Sequence, residues 1–231
     1  MKIGLVAAMQ CEISGINSRM KGVLRTDING FVFAQGEISG HKIISVCCGI
    51  GLVNAALATK LLIDNFKVDY LVNPGVAGGI SEELAVCDVV VSKDSKYWEF
   101  SVEPLPKMCP NESQALYKAD TYLHEKCLNY CKEEIAPYKL VPGRIVSGNK
   151  FVQDLETKTF LREKLQADCV EMEGAAVAHA CNLTSTPYLI IRSISDSVMD
   201  NDENSLMAFN EFLPLAIVQL TNVVLKLIKS L

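Results

Sequence analysis

Apolar residues recur along this chain in two alternating patterns: short unbroken runs, and longer stretches with helical spacing. Residues 2–8 form an apolar run after one lysine and read as a buried strand. Residues 31–38 and 41–48 straddle Ser39-Gly40 and predict a hairpin. Helical spacing over 52–66 is followed by a strand at 70–73. Residues 88–92 predict a further buried strand, 115–135 an amphipathic helix, and 140–146 a strand. A strand over 167–172 runs into a helix through Ala180. Residues 188–194 form the most apolar strand of the second half, and a long helix over 206–228 closes the chain. Residues 101–113, with Pro104, Pro106 and Pro110, read as a loop.

Strands alternating with helices, plus one early hairpin, predict an α/β protein. The expected architecture is a three-layer α/β/α sandwich around a central mixed β-sheet. At 231 residues, with no internal repeat, the chain fits a single domain over 1–231. In such sheets ligands sit where strands end and loops or helices begin.

Composition narrows the partners. The net charge is −5 and no run of lysine or arginine occurs, which argues against a nucleic-acid partner and suits a small uncharged or zwitterionic ligand. The N-terminal apolar run is too short for a signal peptide, and no stretch of ~18 uncharged apolar residues appears. A cytoplasmic protein with no membrane partner is expected. Nine cysteines, an odd number lying mostly in apolar runs, predict buried free thiols in a reducing compartment. Cys127 and Cys131 share a helix face with His124 nearby, so a metal site is the alternative there. Simple packing is the stronger reading, and no metal or cofactor is expected.

The candidate chemistry lies at the strand ends. Gly49-Ile50-Gly51 follows one strand and Gly75-Val76-Ala77-Gly78-Gly79 the next. These glycines serve either close approach to a ligand or tight turns. Glu12 falls in the first turn of a helix, where the helix dipole alone favours a carboxylate. Asp196 ends an apolar strand, either as an acid with a chemical task or as a cap for the next turn. Arg192, inside that strand, requires a buried carboxylate partner or a ligand. Most informative is Val170-Glu171-Met172-Glu173-Gly174-Ala175-Ala176, where acids alternate with apolar residues and then give way to small ones.

This last segment resembles the Val-Glu-Met-Glu-Ala signature of the nucleoside phosphorylase/nucleosidase superfamily. Arg192-Ser193-Ile194-Ser195-Asp196 is similar to that superfamily's Arg-x-Ile/Val-Ser-Asp segment, and residues 75–79 to its glycine-rich loop. Residues 1–12 and Ser147-Gly148-Asn149-Lys150-Phe151-Val152 resemble the methylthioadenosine/adenosylhomocysteine nucleosidases in particular. The five segments keep their order and spacing over nearly the full length.

The resemblance implies hydrolysis of the bond between adenine and a 5′-thio-substituted ribose. It assigns Asp196, oriented by Ser195, as the acid toward the purine N7. Glu12 is the base toward water, with Arg192 holding that water or Glu12. Glu173 grips the ribose hydroxyls and Met172 packs on the sugar. Phe151 stacks on adenine while the Val152 backbone reads its edge. Met9, Ile50 and Phe209 wall the 5′ group, and Val76, Ala77 and Gly78 contact the substrate. Glu171 receives no role. The resemblance also implies a homodimer in which the loop after residue 99 completes a neighbour's pocket, with Val102 and Leu105 as candidates. Three positions depart from the family: Val76 replaces Ser or Thr, Asn149 replaces Asp, and Tyr97-Trp98-Glu99 replaces Tyr-His-Asp. The competing functions are a phosphate-dependent phosphorylase, a nucleoside-binding protein without catalysis, and a hydrolase acting on 6-amino-6-deoxyfutalosine.

Overall fold

The structure, a computed structural model, describes residues 1–100, 116–197 and 202–231. Its first strand, β1 (Lys2–Ala7), lies parallel between β4 (His41–Cys47) and β5 (Tyr70–Gly79). Ile3, Leu5, Val6 and Ala7 are all fully buried, as expected for a strand covered on both faces. The predicted hairpin forms from β3 (Phe31–Ile38) and β4, and its turn takes positive φ at Ser39 and Gly40, a twist that suits a two-residue link. β2 (Lys21–Ile28) adds an exposed edge strand with no apolar run to announce it.

The rest of the sheet closes on itself, which periodicity does not reveal. β5 pairs with β10 (Tyr188–Asp196), β10 with β6 (Val89–Tyr97), β6 with β8 (Leu140–Ser147), β8 with β9 (Cys169–Glu171), and β9 returns to β5. The open wing β1-β4-β3-β2 extends from this ring. A two-residue strand, β7 (Tyr117–Lys118), pairs with β6.

Helices cover both faces. α1 (Gln10–Asn17), α3 (Thr121–Cys131) and α6 (Asp202–Ser230) build one core with β1, β6 and β10. α2 (Leu52–Phe66) and α5 (Gly174–Leu183) build the other. α4 (Leu155–Leu165) covers a smaller cluster around Ile80, Val146 and Val170.

The helix expected over 115–135 is shorter. It starts at Thr121 because Asp120 accepts the Leu123 N–H at 2.9 Å, a side-chain N-cap, while Tyr117 and Lys118 pair with β6. By length and composition, residues Phe209–Ser230 of α6 could cross a membrane, with mean hydropathy 1.6. Here that apolar face is spent inside the protein, since Leu220, Val223, Val224, Leu227 and Ile228 are fully buried.

Candidate active site

Seven chain segments meet at the end of the ring where β5, β9 and β10 run out. Together they line a hollow of about 100 Å³ bounded by Met9, Glu12, Ile50, Val76, Ala77, Gly78, Phe151, Met172, Glu173, Ser195 and Phe209. Ala8, Val170 and Glu171 complete the lining. Arg192 and Asp196 lie directly behind it, each 1% exposed. Val152 is buried against Val146 and Val170. At the mouth, the Phe151 and Phe209 rings meet edge to face, 5.8 Å apart. Residues 102 and 105, expected to serve a neighbouring pocket, lie outside the described residues.

Glu12 reaches the hollow because β1 ends at Ala7 and α1 begins at once. The carboxylate sits in the helix's first turn, where Oε2 accepts the Met9 N–H at 2.8 Å. Oε1 accepts the Val76 N–H at 3.0 Å. Side chain 76 has no hydroxyl, but its backbone amide holds Glu12 directly. Burial raises the Glu12 pKa, opposed by the Met9 N–H and by the Arg192 charge.

Arg192 finds the partner that an apolar strand demands, and that partner is Glu171. Its Nε and Nη2 donate to Glu171 Oε2 at 3.1 and 2.5 Å. Nη1 donates to the Asn73 carbonyl at 2.7 Å and Nη2 to Asn73 Oδ1 at 2.6 Å. Burial works against the guanidinium charge, but Glu171, Glu173 and Glu12 outweigh it and hold Arg192 protonated. The donors of Arg192 therefore go to Glu171, Asn73 and the Ile191 carbonyl, and no hydrogen bond to Glu12 is among them.

Glu171 is the residue that the motif reading left unassigned. It also accepts the Glu173 N–H at 3.0 Å, the Gly174 N–H at 2.8 Å and the Ser147 hydroxyl. It thus supplies the oxygens that open α5. Glu173, two residues on, has a poorer environment. Its Oε1 accepts the Gly51 N–H at 2.8 Å. Burial first, and the Glu171 charge second, push its pKa up to about 7. Behind the site, burial pushes the Cys48 thiol up to about 12, with Glu173 adding to the rise, so it is no ready nucleophile.

Asp196 lies behind the hollow, next to Gly78. Ser195 Oγ donates to Asp196 Oδ1 at 2.8 Å and also lies 3.2 Å from the Ala77 carbonyl. The glycines divide between the two uses open to them. Gly49 and Gly51 have positive φ and make turns. Gly75 and Gly78 lie inside β5 and serve close approach. A Cβ on Gly75 would come within 3.1 Å of both Arg192 Cζ and Glu12 Oε1, and one on Gly78 within 3.1 Å of Asp196 Oδ2.

A larger hollow of about 460 Å³ includes Ser147 and Asn149 in its lining, with mostly apolar and aromatic residues such as Leu52, Val53, Tyr97, Phe100, Tyr117 and His179. It contains none of the acids Glu12, Glu171, Glu173 and Asp196. Elsewhere, Cys127 and Cys131 are fully buried, and His124 Nδ1 lies 2.9 Å from the Ser92 carbonyl oxygen. Among the described residues no cluster of His, Cys, Asp and Glu suits a metal ion.

An arginine-neutralised nest of carboxylates, roofed by two aromatic rings at the end of a partly closed sheet, defines the class. The family model described as the phosphorylase superfamily matches residues 2–229. The 5′-methylthioadenosine/S-adenosylhomocysteine nucleosidase of Bacillus pumilus is 34% identical over 241 residues, covering 100% of this chain and 99% of the relative. The nucleosidase of the same name from Neisseria meningitidis, solved with methylthio-immucillin-A, superposes with a TM-score of 0.92 at 30% identity, covering 100% of this chain and 99% of that one. A futalosine hydrolase from Helicobacter pylori superposes with a TM-score of 0.89 at 29% identity, covering 100% and 98%. Within the phosphorylase superfamily, the chain belongs to the 5′-methylthioadenosine/S-adenosylhomocysteine nucleosidase family.

Proposed function

We propose that the protein hydrolyses the N-glycosidic bond of 5′-methylthioadenosine and S-adenosylhomocysteine, releasing adenine and the 5′-thioribose. The observation that carries this reading is Glu12. Its carboxylate occupies the Met9 and Val76 amides, the donors that would otherwise be open to an anion. A desolvated carboxylate there repels phosphate by several kcal/mol. Water is left as the nucleophile.

In this mechanism the C1′–N9 bond breaks and its electron pair moves into the adenine. Asp196 delivers a proton to N7, and Ser195 fixes the orientation of the acid. The ribosyl cation forms beside Glu12 and Glu173, whose charges favour it. Water adds to C1′ and gives its proton to Glu12, a carboxylate made more basic by its burial. Glu173 accepts from the ribose hydroxyls, Met172 packs on the sugar, and Phe151 stacks on the base beside the Val152 backbone. Met9, Ile50 and Phe209 wall the 5′ group, while Val76, Ala77 and Gly78 line the sugar and base. Arg192 acts through Glu171 and through its charge.

The working form in this reading is a soluble, cytoplasmic homodimer. Support comes from Val53, Leu57 and Phe100, which are 69%, 53% and 49% exposed beside the larger hollow, a surface suited to a second copy. Light scattering on the purified protein should give twice the chain mass. A monomer would remove this part of the reading.

The deciding assay is adenine release from methylthioadenosine with and without phosphate. Turnover in phosphate-free buffer is expected, and strict dependence on phosphate would sink the hydrolase reading. A second reading follows from the likeness to futalosine hydrolase, namely that the same site accepts 6-amino-6-deoxyfutalosine. Comparing kcat/KM for the three nucleosides decides the order of preference.

A further inference from the structure

The mechanism relies on Glu173, but nothing in it yet accounts for how that carboxylate is aimed. α2 starts after Gly51, a residue with no side chain to cap the helix and with φ +107°. Two oxygens from elsewhere in the chain take the first N–H groups instead. Glu173 accepts from Gly51, and Asn149 Oδ1 accepts from the Leu52 N–H at 3.2 Å. Asn149 is itself anchored, because its own N–H donates to Glu99 Oε2 at 2.5 Å. Next to it Gly148 lies so close under Trp98 that any Cβ would collide with the indole. The end of β6, the 148–149 turn and the start of α2 are therefore tied together one after the other. The last link in that chain is the Gly51 N–H on Glu173.

We propose that Asn149 is a positioning residue for Glu173. By capping α2 from another segment it fixes the first turn of the helix, and so holds the Gly51 N–H on the carboxylate that grips the ribose. Asn149 acts only through Gly51 and does not line the hollow that holds Glu173. Gly51 directly precedes Leu52 and lies outside the helix, so an oxygen that pins the Leu52 N–H limits how far the Gly51 N–H can swing away from Glu173. Glu99 has a supporting part, since it holds the Asn149 backbone. The proposal rests on the reading of Glu173 as the acceptor of the ribose hydroxyls.

The test is steady-state adenine release from methylthioadenosine by full-length Asn149→Ala, Asn149→Asp and Glu173→Gln, each followed across pH. Loss of one hydrogen bond supporting a charged group predicts about a tenfold rise in KM for Asn149→Ala, with kcat nearly unchanged. The limb of kcat/KM that reports ionised Glu173 should move up by about one pH unit, because a carboxylate that loses a donor is harder to ionise. Asn149→Asp keeps the acceptor oxygen and should restore KM to within about threefold of the parent. An Asn149→Ala enzyme with lower thermal stability but unmoved KM and pH limb would overturn the proposal, as would failure of Asp to restore KM. If Asn149→Ala does not fold, Asn149→Asp and Glu99→Ala still decide. The first should keep KM and the second should raise it, and the reverse order overturns the proposal. Unchanged KM in Glu173→Gln would instead sink the underlying reading of Glu173. A raised KM there with a normal Asn149→Ala sinks only the role of Asn149.

Discussion

The open wing β1-β4-β3-β2 and the closed ring β5-β10-β6-β8-β9 belong to one sheet, yet they are filled on opposite principles. The wing is packed with hydrocarbon, with Ile3, Leu5, Phe33, Ile43 and Ile44 buried and its far edge open to water. The ring buries Asn73, Ser147, Glu171, Arg192, Ser195 and Asp196 at its functional end. Isolated, any of these charges would be too costly to desolvate. They persist because Glu171 and Arg192 neutralise each other and further hydrogen bonds to backbone, to the Ser147 hydroxyl and to the Asn73 amide hold them in place. The same contrast recurs over two residues of chain. Glu171 is well supplied with donors, whereas Glu173 receives the Gly51 amide and is pushed up to about 7. Abundant partners make a structural carboxylate, and scarce ones leave a carboxylate that can still respond to a ligand.

The sharpest way to break the comparison is to damage one large group in each half. Glu171→Ala strands the Arg192 charge in the ring, and Phe33→Ala opens a cavity in the wing. Each should cost about 3–5 kcal/mol in urea unfolding. Only the ring variant should also raise KM, and equal KM values would show that the two halves are not functionally distinct. Next in size, Glu12→Gln and Asp196→Asn should each lower turnover at least about a hundredfold with folding intact. Near-parental rates in both would remove the acid–base assignment.

A subtler difference lies in the response to pH. A carboxyl whose pKa is raised by folding binds its proton more tightly in the native state. Its stabilising contribution is complete below the ordinary carboxylate range and fades as pH rises through about 7 for Glu173. The ligand-free protein should lose melting temperature between about pH 5 and 8 more steeply than Glu173→Gln does. Parallel slopes would refute the perturbed carboxyl. Over the same interval kcat/KM should rise as Glu173 ionises. The smallest effect belongs to the wing's edge, where Leu24 is 69% exposed, so Leu24→Ser should change stability by no more than about 0.5 kcal/mol.

Much of this was legible in the residues alone, and the exceptions have physical causes. Strands buried on both faces, such as β1 and β10, announce themselves as unbroken apolar runs. β2 does not, because neither of its faces is covered. Closure of the ring depends on which strands pair, and periodicity carries no information about pairing. The demand of Arg192 for a buried carboxylate could be read from its apolar strand. The identity of that partner could not, because Glu171 and Glu173 look equivalent two residues apart and only the fold separates them. Asn149 and Gly51 were visible only as a substitution and a glycine, since a cap contributed from nearly a hundred residues away leaves no local pattern.

The hydrogen that Gly75 presents to the site sets the spacing between a guanidinium carbon and a carboxylate oxygen, each 3.1 Å from where a methyl group would stand. Any protein engineer who randomises this scaffold therefore meets one fixed point. A side chain at residue 75 makes the guanidinium or the carboxylate give by a few tenths of an ångström, so diversity there moves the reacting groups themselves, and new specificities are to be sought at the mouth, around Phe151 and Phe209.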